Sequence, residues 1–308
     1  FSVIFPGQGS QIVGMGKEFY DKFDLVKELF HEADETLKFP ISKLIIEGPK
    51  EKLDLTINTQ PAIYLISYSI FNVIIKEFNI NLGDAKYFAG HSLGEYSALS
   101  CAGYLKFSET LKILRIRGDA MQNAVPKGEG GMLAVLGSNI DIIEKILMDN
   151  KEVIKVQIAN DNSESQIVLS GKIKDLEILD KILKENSIKT IKLPVSAPFH
   201  CSLMHNATII MKEELNKLTF QNSEKKLISN VTSEPISSFE ELKNLLIKQI
   251  ENRVRWRESI INMIKNGVTH FIEIGPGKVL SGLVKRIDRN VKIIQVNNEE
   301  DLINLKNL

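Results

Sequence analysis

The chain has few cysteines, no surplus of either charge and no long apolar run. Two cysteines occur in 308 residues, Cys101 and Cys201, with no CxxC spacing. That excludes a disulfide framework and a structural zinc site built on thiolates. Lys plus Arg number 39 and Asp plus Glu number 39, so the formal charge is zero. No overall basic field exists to hold nucleic acid. The longest apolar stretch, 62–75, is interrupted by Ser67, Ser69 and Asn72. A bilayer span needs about 20 predominantly apolar residues, so no membrane segment is expected. Metal signatures such as HExxH and the calcium loop are absent, and no metal or bound cofactor is expected. Two glycine-rich turns fail as nucleotide loops. After Gly7 and Gly9, Ile12 stands where a dinucleotide turn needs its third glycine, and Gly275-Pro276-Gly277-Lys278 is followed by Val279 rather than Ser or Thr.

What remains is an ordinary globular composition. Strand-like FSVIF (1–5) and KYFA (86–89) alternate with amphipathic stretches at 19–37 and 62–78 and a helical 95–102. That alternation predicts an α/β layer with a largely parallel sheet. From 132 to 195 the order becomes strand, helix, strand, strand, helix, strand, which is a split βαβ or ferredoxin-like unit. Pro126, Gly128, Gly130 and Gly131 mark its entry, and Pro194 and Pro198 its exit. The expected organisation is a large α/β domain from 1–124 and 196–308, interrupted by a ferredoxin-like small domain at 125–195.

Gly90-His91-Ser92-Leu93-Gly94 matches G-x-S-x-G between a strand and a helix. Such a turn holds the serine hydroxyl out at the sheet edge and leaves the next amide, that of Leu93, beside a developing oxyanion. The bland alternative is a glycine-bracketed serine capping a helix. A nucleophilic serine needs a base, and five histidines are available. His31 on a charged helix and His270 at the start of an apolar strand read as structural. His91 is expected to point to the other side of the elbow. His200, in the loop where the chain leaves the small unit, is the leading candidate, with His205 next. No Asp or Glu stands out as a third member, so a carbonyl oxygen is expected to orient the ring.

If Ser108 caps a helix running to Asn123, Arg117 falls among Leu111, Ile113, Leu114, Ala120, Met121 and Ala124, while Arg115 lies on the solvent side. A guanidinium on an apolar face needs a partner, since breaking a buried charge pair costs about 3–5 kcal/mol. The partner is either an internal carboxylate, the commoner case, or a ligand anion held in bidentate fashion. On a helix over 240–252, Gln249 also faces inward, among Leu242, Leu245, Leu246 and Arg253. Its amide is either a local clamp or part of a site.

Seven segments together are diagnostic: FPGQGSQ (5–11), NTQPA (58–62), GHSLGEYSAL (90–99), RIRGDAMQ (115–122), APFHCSLM (197–204), the Gln249 helix with its RW end, and IEIGPGKVLSGLVKRI (272–287). In order and spacing, across essentially the whole chain, the sequence resembles the malonyl-CoA:acyl carrier protein transacylases of type II fatty acid synthesis. The resemblance implies an α/β-hydrolase-like large domain with the ferredoxin-like insertion. It implies Ser92 as nucleophile, His200 as base and then acid, and the amides of Gln8 and Leu93 as oxyanion hole. Gln249 would orient His200 through its main-chain carbonyl, Arg117 would hold the malonyl carboxylate, and Gln60 would line the pocket. Phe199 would disfavour methyl-branched substrates.

Malonyl-CoA would be the substrate and an acidic, phosphopantetheinylated acyl carrier protein the partner. Lys189, Lys192, Lys285 and Arg286 are candidates for the local basic patch that such a carrier requires. A monomer is expected. No signal or transit segment is recognisable, and the compartment expected is a bacterial cytoplasm or a plastid-type organelle after removal of a transit peptide. The rival readings are a thioesterase on the same Ser and His, and a carrier-binding module without activity.

Overall fold

The computed structural model describes residues 1–195 and 197–305. The expected domain boundary at residue 196 and the end of the chain at 306–308 lie outside the described residues. All four residues of β1 (Ser2–Phe5) are buried, as are those of β2 (Tyr87–Gly90). That is the signature of strands covered on both faces of a parallel sheet. β1 pairs in parallel with β2, from Ser2 opposite Tyr87 to Phe5 opposite Gly90. On its other side it pairs with β7 (His270–Ile274), which in turn pairs with β8 (Lys292–Val296). The strand order is β2-β1-β7-β8, and the fold is mixed α/β with a parallel sheet.

The stretch read as one amphipathic segment at 19–37 is two helices, Lys17–Lys22 and Asp24–Leu37, broken at Phe23, whose backbone is extended. The segment at 62–78 belongs to a longer helix, Thr56–Lys76. It is buried on almost every side rather than amphipathic, because the sheet, the helix Leu93–Cys101 after Ser92 and the helix Phe107–Gln122 all pack on it.

A second sheet is antiparallel. It holds β3 (Gly130–Leu136), β4 (Val156–Ser163), β5 (Gln166–Lys172) and β6 (Lys189–Lys192), in the order β4-β5-β3-β6. Helices Ile140–Asp149 and Ile173–Glu185 cover one face with their own apolar cluster, which includes Leu133, Val135, Ile143, Ile167, Leu169 and Leu179. Asn139 caps the first of them, accepting from the Ile142 amide at 3.0 Å.

The other face of this sheet turns toward the parallel sheet. The Asp161 amide on β4 donates to the Val254 carbonyl at 2.9 Å, and the Val254 amide to the Ala159 carbonyl at 2.8 Å. The buried Asp161 carboxylate takes Nε and Nη2 of Arg257 at 2.9–3.1 Å. The contact therefore combines backbone pairing with a forked ion pair, and a cleft opens beside it. Among the described residues, no helix is long and apolar enough to cross a membrane.

Candidate active site

The cleft lies past the C-terminal ends of β1, β2 and β7, where ligands gather in parallel α/β sheets. It has a volume of about 200 Å³, with Gly7, Gln8 and Ser92 on one wall and Met132, Asn160 and Val168 of the second sheet on the other. The elbow depends on its glycines. A Cβ at Gly90 would overlap the Gly94 carbonyl, and one at Gly94 would overlap the Phe5 carbonyl. Only hydrogen at both positions lets the helix Leu93–Cys101 start so close to β1 and β2. Ser92 itself sits at φ 55°, ψ −111°. A non-glycine residue there costs on the order of 1–3 kcal/mol and persists where its surroundings fix it.

The Ser92 amide donates to Asn230 Oδ1 at 2.8 Å, and Asn230 Nδ2 donates to the Gly90 carbonyl at 2.7 Å. Asn230 thus clasps both sides of the turn. The Ser92 side chain makes no helix-cap hydrogen bond, so the capping alternative does not hold. Its Oγ lies 2.8 Å from His200 Nε2, while His200 Nδ1 lies 2.8 Å from the Gln249 carbonyl. A carbonyl only accepts, so Nδ1 carries the proton and Nε2 is the free base facing the hydroxyl. His200 is buried and also has a positive φ, 59°. Burial, with the nearby Arg117 charge, pushes its pKa down to about 3.

Arg117 is 1% exposed. Its Nη1 donates to Gln60 Oε1 at 2.7 Å, and its Nη2 donates to Gln249 Oε1 at 2.8 Å and Ser92 Oγ at 3.2 Å. The Tyr96 ring lies 5.4 Å from the guanidinium carbon. All its hydrogen-bond acceptors are uncharged, and no carboxylate among the described residues ion-pairs with it. The commoner internal-pair reading of this arginine therefore does not hold. Burial lowers its pKa, opposed by the nearby Tyr96 and Glu95. A buried cation with neutral acceptors, opening on a cleft, is suited to an anionic group on a ligand.

Gln249 is fully buried. Its Nε2 donates to the Ser92 carbonyl at 3.0 Å, Glu95 Oε2 at 2.6 Å and Asn230 Oδ1 at 3.3 Å. One residue thus touches the elbow, the histidine and the arginine. The backbone amides of Gln8 and Leu93, both on the cleft wall, donate to no acceptor among the described residues. Free amide donors on a cleft wall can receive an oxyanion. Gln60, Phe199 and Met121 complete this end of the cleft.

Several expectations need correction. The Arg117 helix starts at Phe107 with Lys106 at its N-cap, so Ser108 caps nothing. Arg115 is not a free solvent-side charge: it donates to Asn58 Oδ1 at 2.6 Å and lies 4.2 Å over the Phe39 ring. The Gln249 helix is Phe239–Gln249 and ends at the glutamine rather than at 252, so the carbonyl of Gln249 is free to meet His200. Arg253, expected beside it, pairs instead with Glu144 and Glu258. His91 needs no correction: as expected of a residue on the other side of the elbow, its ring turns to Asn162 Oδ1 at 2.8 Å. His205 pairs with Glu251 at the surface, 3.1 Å away.

An acidic residue does lie behind the site. Glu95, three residues after Ser92, is 1% exposed and touches Gln249, and sequence reasoning passed over it. Its place in the first turn of the elbow helix was the available signal. Asn230 was missed with no signal of its own. The four basic candidates differ in their freedom. Lys192 pairs with Glu177 at 3.4 Å, and Lys285 donates to the carbonyls of Arg289 and Val291. Arg286 donates to Gln166 on the cleft wall at 3.2 Å, and Lys189 is exposed on β6.

The family model described as the acyl transferase domain matches residues 3–298. The chain is 45% identical over 301 residues to the malonyl CoA-acyl carrier protein transacylase of Bacillus subtilis strain 168, covering 97% of this chain and 94% of that protein. Among solved structures, the acyl-carrier-protein S-malonyltransferase of Bartonella henselae superposes with a TM-score of 0.95 at 41% identity, over 98% of this chain and 97% of that one. A malonyl-transacylase in complex with its type II PKS acyl-carrier protein matches with a TM-score of 0.96 at 35% identity, over 100% of this chain and 99% of that one.

Proposed function

The chain belongs to the acyl transferase domain family and, within it, to the malonyl-CoA:acyl carrier protein transacylases; from that premise we propose how its own residues carry the reaction. It is an enzyme that moves the malonyl group from malonyl-CoA to acyl carrier protein, supplying fatty acid synthesis. In the proposed route Ser92 Oγ attacks the thioester carbon while His200 Nε2 takes its proton. The negative carbonyl oxygen then meets the amides of Gln8 and Leu93. Collapse expels the CoA thiolate, which takes the proton back from His200 and leaves a malonyl ester on Ser92. The phosphopantetheine thiol of the carrier repeats the sequence in reverse, giving a ping-pong exchange on one serine. Losing one oxyanion donor typically slows such a step by about a hundred- to a thousand-fold.

Specificity is assigned to Arg117. An acetyl group offers the guanidinium no direct carboxylate acceptor, whereas the malonyl carboxylate supplies one. Gln60 fixes the guanidinium from the far side, and Phe199 narrows the wall against methyl-branched chains. The histidine needs no acidic third member, because the Gln249 carbonyl fixes its tautomer. Every residue assigned lies on one chain, so a monomer suffices and no bound cofactor is required. Residues 125–195 are read as a ferredoxin-like small domain inserted into the hydrolase-like one, forming the second wall of the cleft. Arg286, which donates to Gln166 on the cleft wall, is the best placed of the basic candidates to meet the acidic carrier, and Lys189, Lys192 and Lys285 are the others. The relatives named above whose source is given are bacterial, which favours the bacterial cytoplasm over a plastid-type organelle.

The observation that carries this reading is the 2.8 Å Ser92–His200 contact within reach of an arginine that has no carboxylate ion-pair partner among the described residues. Incubation with malonyl-CoA followed by peptide mass spectrometry tests it. A malonyl adduct on Ser92 that disappears when phosphopantetheinylated carrier protein is added, with malonyl appearing on the carrier, supports the transfer. Rapid loss to water would make the chain a thioesterase, and no adduct would leave only a binding module.

A further inference from the structure

Glu95 has no part in the mechanism above, yet it is held in the same buried network. Its Oε2 accepts from Gln249 Nε2 at 2.6 Å and from the Asn230 amide at 3.3 Å, and its Oε1 is buried with no hydrogen-bond partner. The Gln249 amide joins it to Arg117, giving its NH₂ to the carboxylate side and its oxygen to the guanidinium. The two charges are thus separated by one amide rather than paired. The ionisable groups around Glu95 are few. Arg117 faces it from the helix Phe107–Gln122, Tyr96 is its neighbour in sequence, and His200 is joined to it through Gln249. Tyr64, from the helix Thr56–Lys76, meets Ser100 further along the elbow helix. Gln249 and Asn230 are uncharged, and β1 and β2 offer only backbone and apolar side chains here. Among the described residues, Arg117 is therefore the cation whose charge favours an ionised Glu95.

We propose that Glu95 is the counter-charge of Arg117 in the empty cleft and takes up a proton from solvent when the malonyl carboxylate arrives, so that selection of the acyl group is coupled to protonation. A buried cation is best served by one nearby anion. When the substrate supplies it, a second carboxylate held in the same network becomes the unfavourable charge and is neutralised. Glu95 is poised for such an exchange: burial pushes its pKa up to about 7, against the pull of Gln249, Asn230 and Arg117. The sign follows. Raising the pH through that value ionises Glu95 in the free enzyme, and malonyl loading must then draw a proton from a scarcer supply. An acetyl group brings no carboxylate and needs no such uptake.

The inference rests on Arg117 holding the malonyl carboxylate, and the experiment separates the two. Single-turnover loading of Ser92 from malonyl-CoA and from acetyl-CoA is followed by intact mass between pH 6 and 9. The ratio of the two kcat/KM values cancels effects on the nucleophile, on His200 and on the CoA phosphates. We expect this ratio to fall by about tenfold or more between pH 6.5 and 8.5 in the unaltered enzyme, because linkage gives up to tenfold per pH unit. In Glu95→Gln it should be flat. A flat ratio in the unaltered enzyme overturns the proposal even if the variant fails to fold, and an unchanged slope in folded Glu95→Gln overturns it too. If Arg117→Met leaves the malonyl-to-acetyl ratio untouched, the assignment of Arg117 fails. If that variant collapses the ratio while the pH profile is flat, only the role of Glu95 fails.

Discussion

Arg117→Met separates recognition from folding. The guanidinium is buried with no ion pair among the described residues, and its donors go to Gln60, Gln249 and Ser92. Methionine nearly fills the same volume and removes a desolvated charge. Replacing buried ionic groups by apolar ones of similar size is often neutral or stabilising. Against that stand two amide oxygens, on Gln60 and Gln249, that lose a donor at about 1–3 kcal/mol each. The two effects oppose each other, so the change in stability should stay within about 2 kcal/mol. Recognition has no such compensation. A carboxylate held by two charge-assisted hydrogen bonds at about 1.5–3 kcal/mol each loses about 3–6 kcal/mol, roughly a hundred- to ten-thousand-fold in malonyl loading. Loading of acetyl-CoA should fall far less. Intact-mass kinetics with both substrates, together with a thermal melt, measure all three quantities. Unchanged malonyl loading, or an equal loss with acetyl-CoA in a stably folded variant, would refute the reasoning.

Other expectations follow from the same geometry. Ser92→Gly should abolish loading yet raise the melting temperature, because glycine adopts φ 55° without the strain of about 1–3 kcal/mol that serine bears there; a lower melting temperature would count against strain at the elbow. His200 has a depressed pKa, so between about 6.5 and 3 the unfolded chain binds a proton that the native site refuses, and stability is lost as the pH falls through that window. His200→Gln should therefore lose less stability than the unaltered protein between pH 6.5 and 4, measured by denaturant titration; an identical acid profile would contradict the buried neutral ring. Glu95 acts in the opposite sense, its native form holding a proton between about 4.5 and 7 that the unfolded chain releases. Arg257→Ala strands the buried Asp161 carboxylate and should cost about 3 kcal/mol in chemical denaturation; a loss below about 1 kcal/mol would show that the backbone pairing at Val254 holds the second sheet alone.

The sequence carried the parts of this site that obey local rules. The glycine-bracketed Ser92 declares a strand-to-helix turn, and helical periodicity alone puts Arg117 and Gln249 on buried faces. The start of the Arg117 helix was misplaced because Ser108 is a good capping residue and Lys106 a poor one, and packing overrode that preference. Glu95 and Asn230 were not legible for a different reason. Their roles rest on contacts 135 to 154 residues apart in the chain, and nothing in a local pattern reveals which distant amide a carboxylate will meet. The break at Phe23 and the burial of Thr56–Lys76 on all sides are likewise consequences of what packs around them.

The central claim is that Ser92 holds the malonyl group as an ester while Arg117 holds its free carboxylate. A crystal structure of the acyl-enzyme, trapped by brief soaking with malonyl-CoA, tests that directly. Continuous density is expected from Ser92 Oγ, with the ester carbonyl oxygen facing the amides of Gln8 and Leu93 and the terminal carboxylate within hydrogen-bond distance of the Arg117 guanidinium. An acyl group on any other residue, or a carboxylate turned away from Arg117 toward solvent, would contradict it.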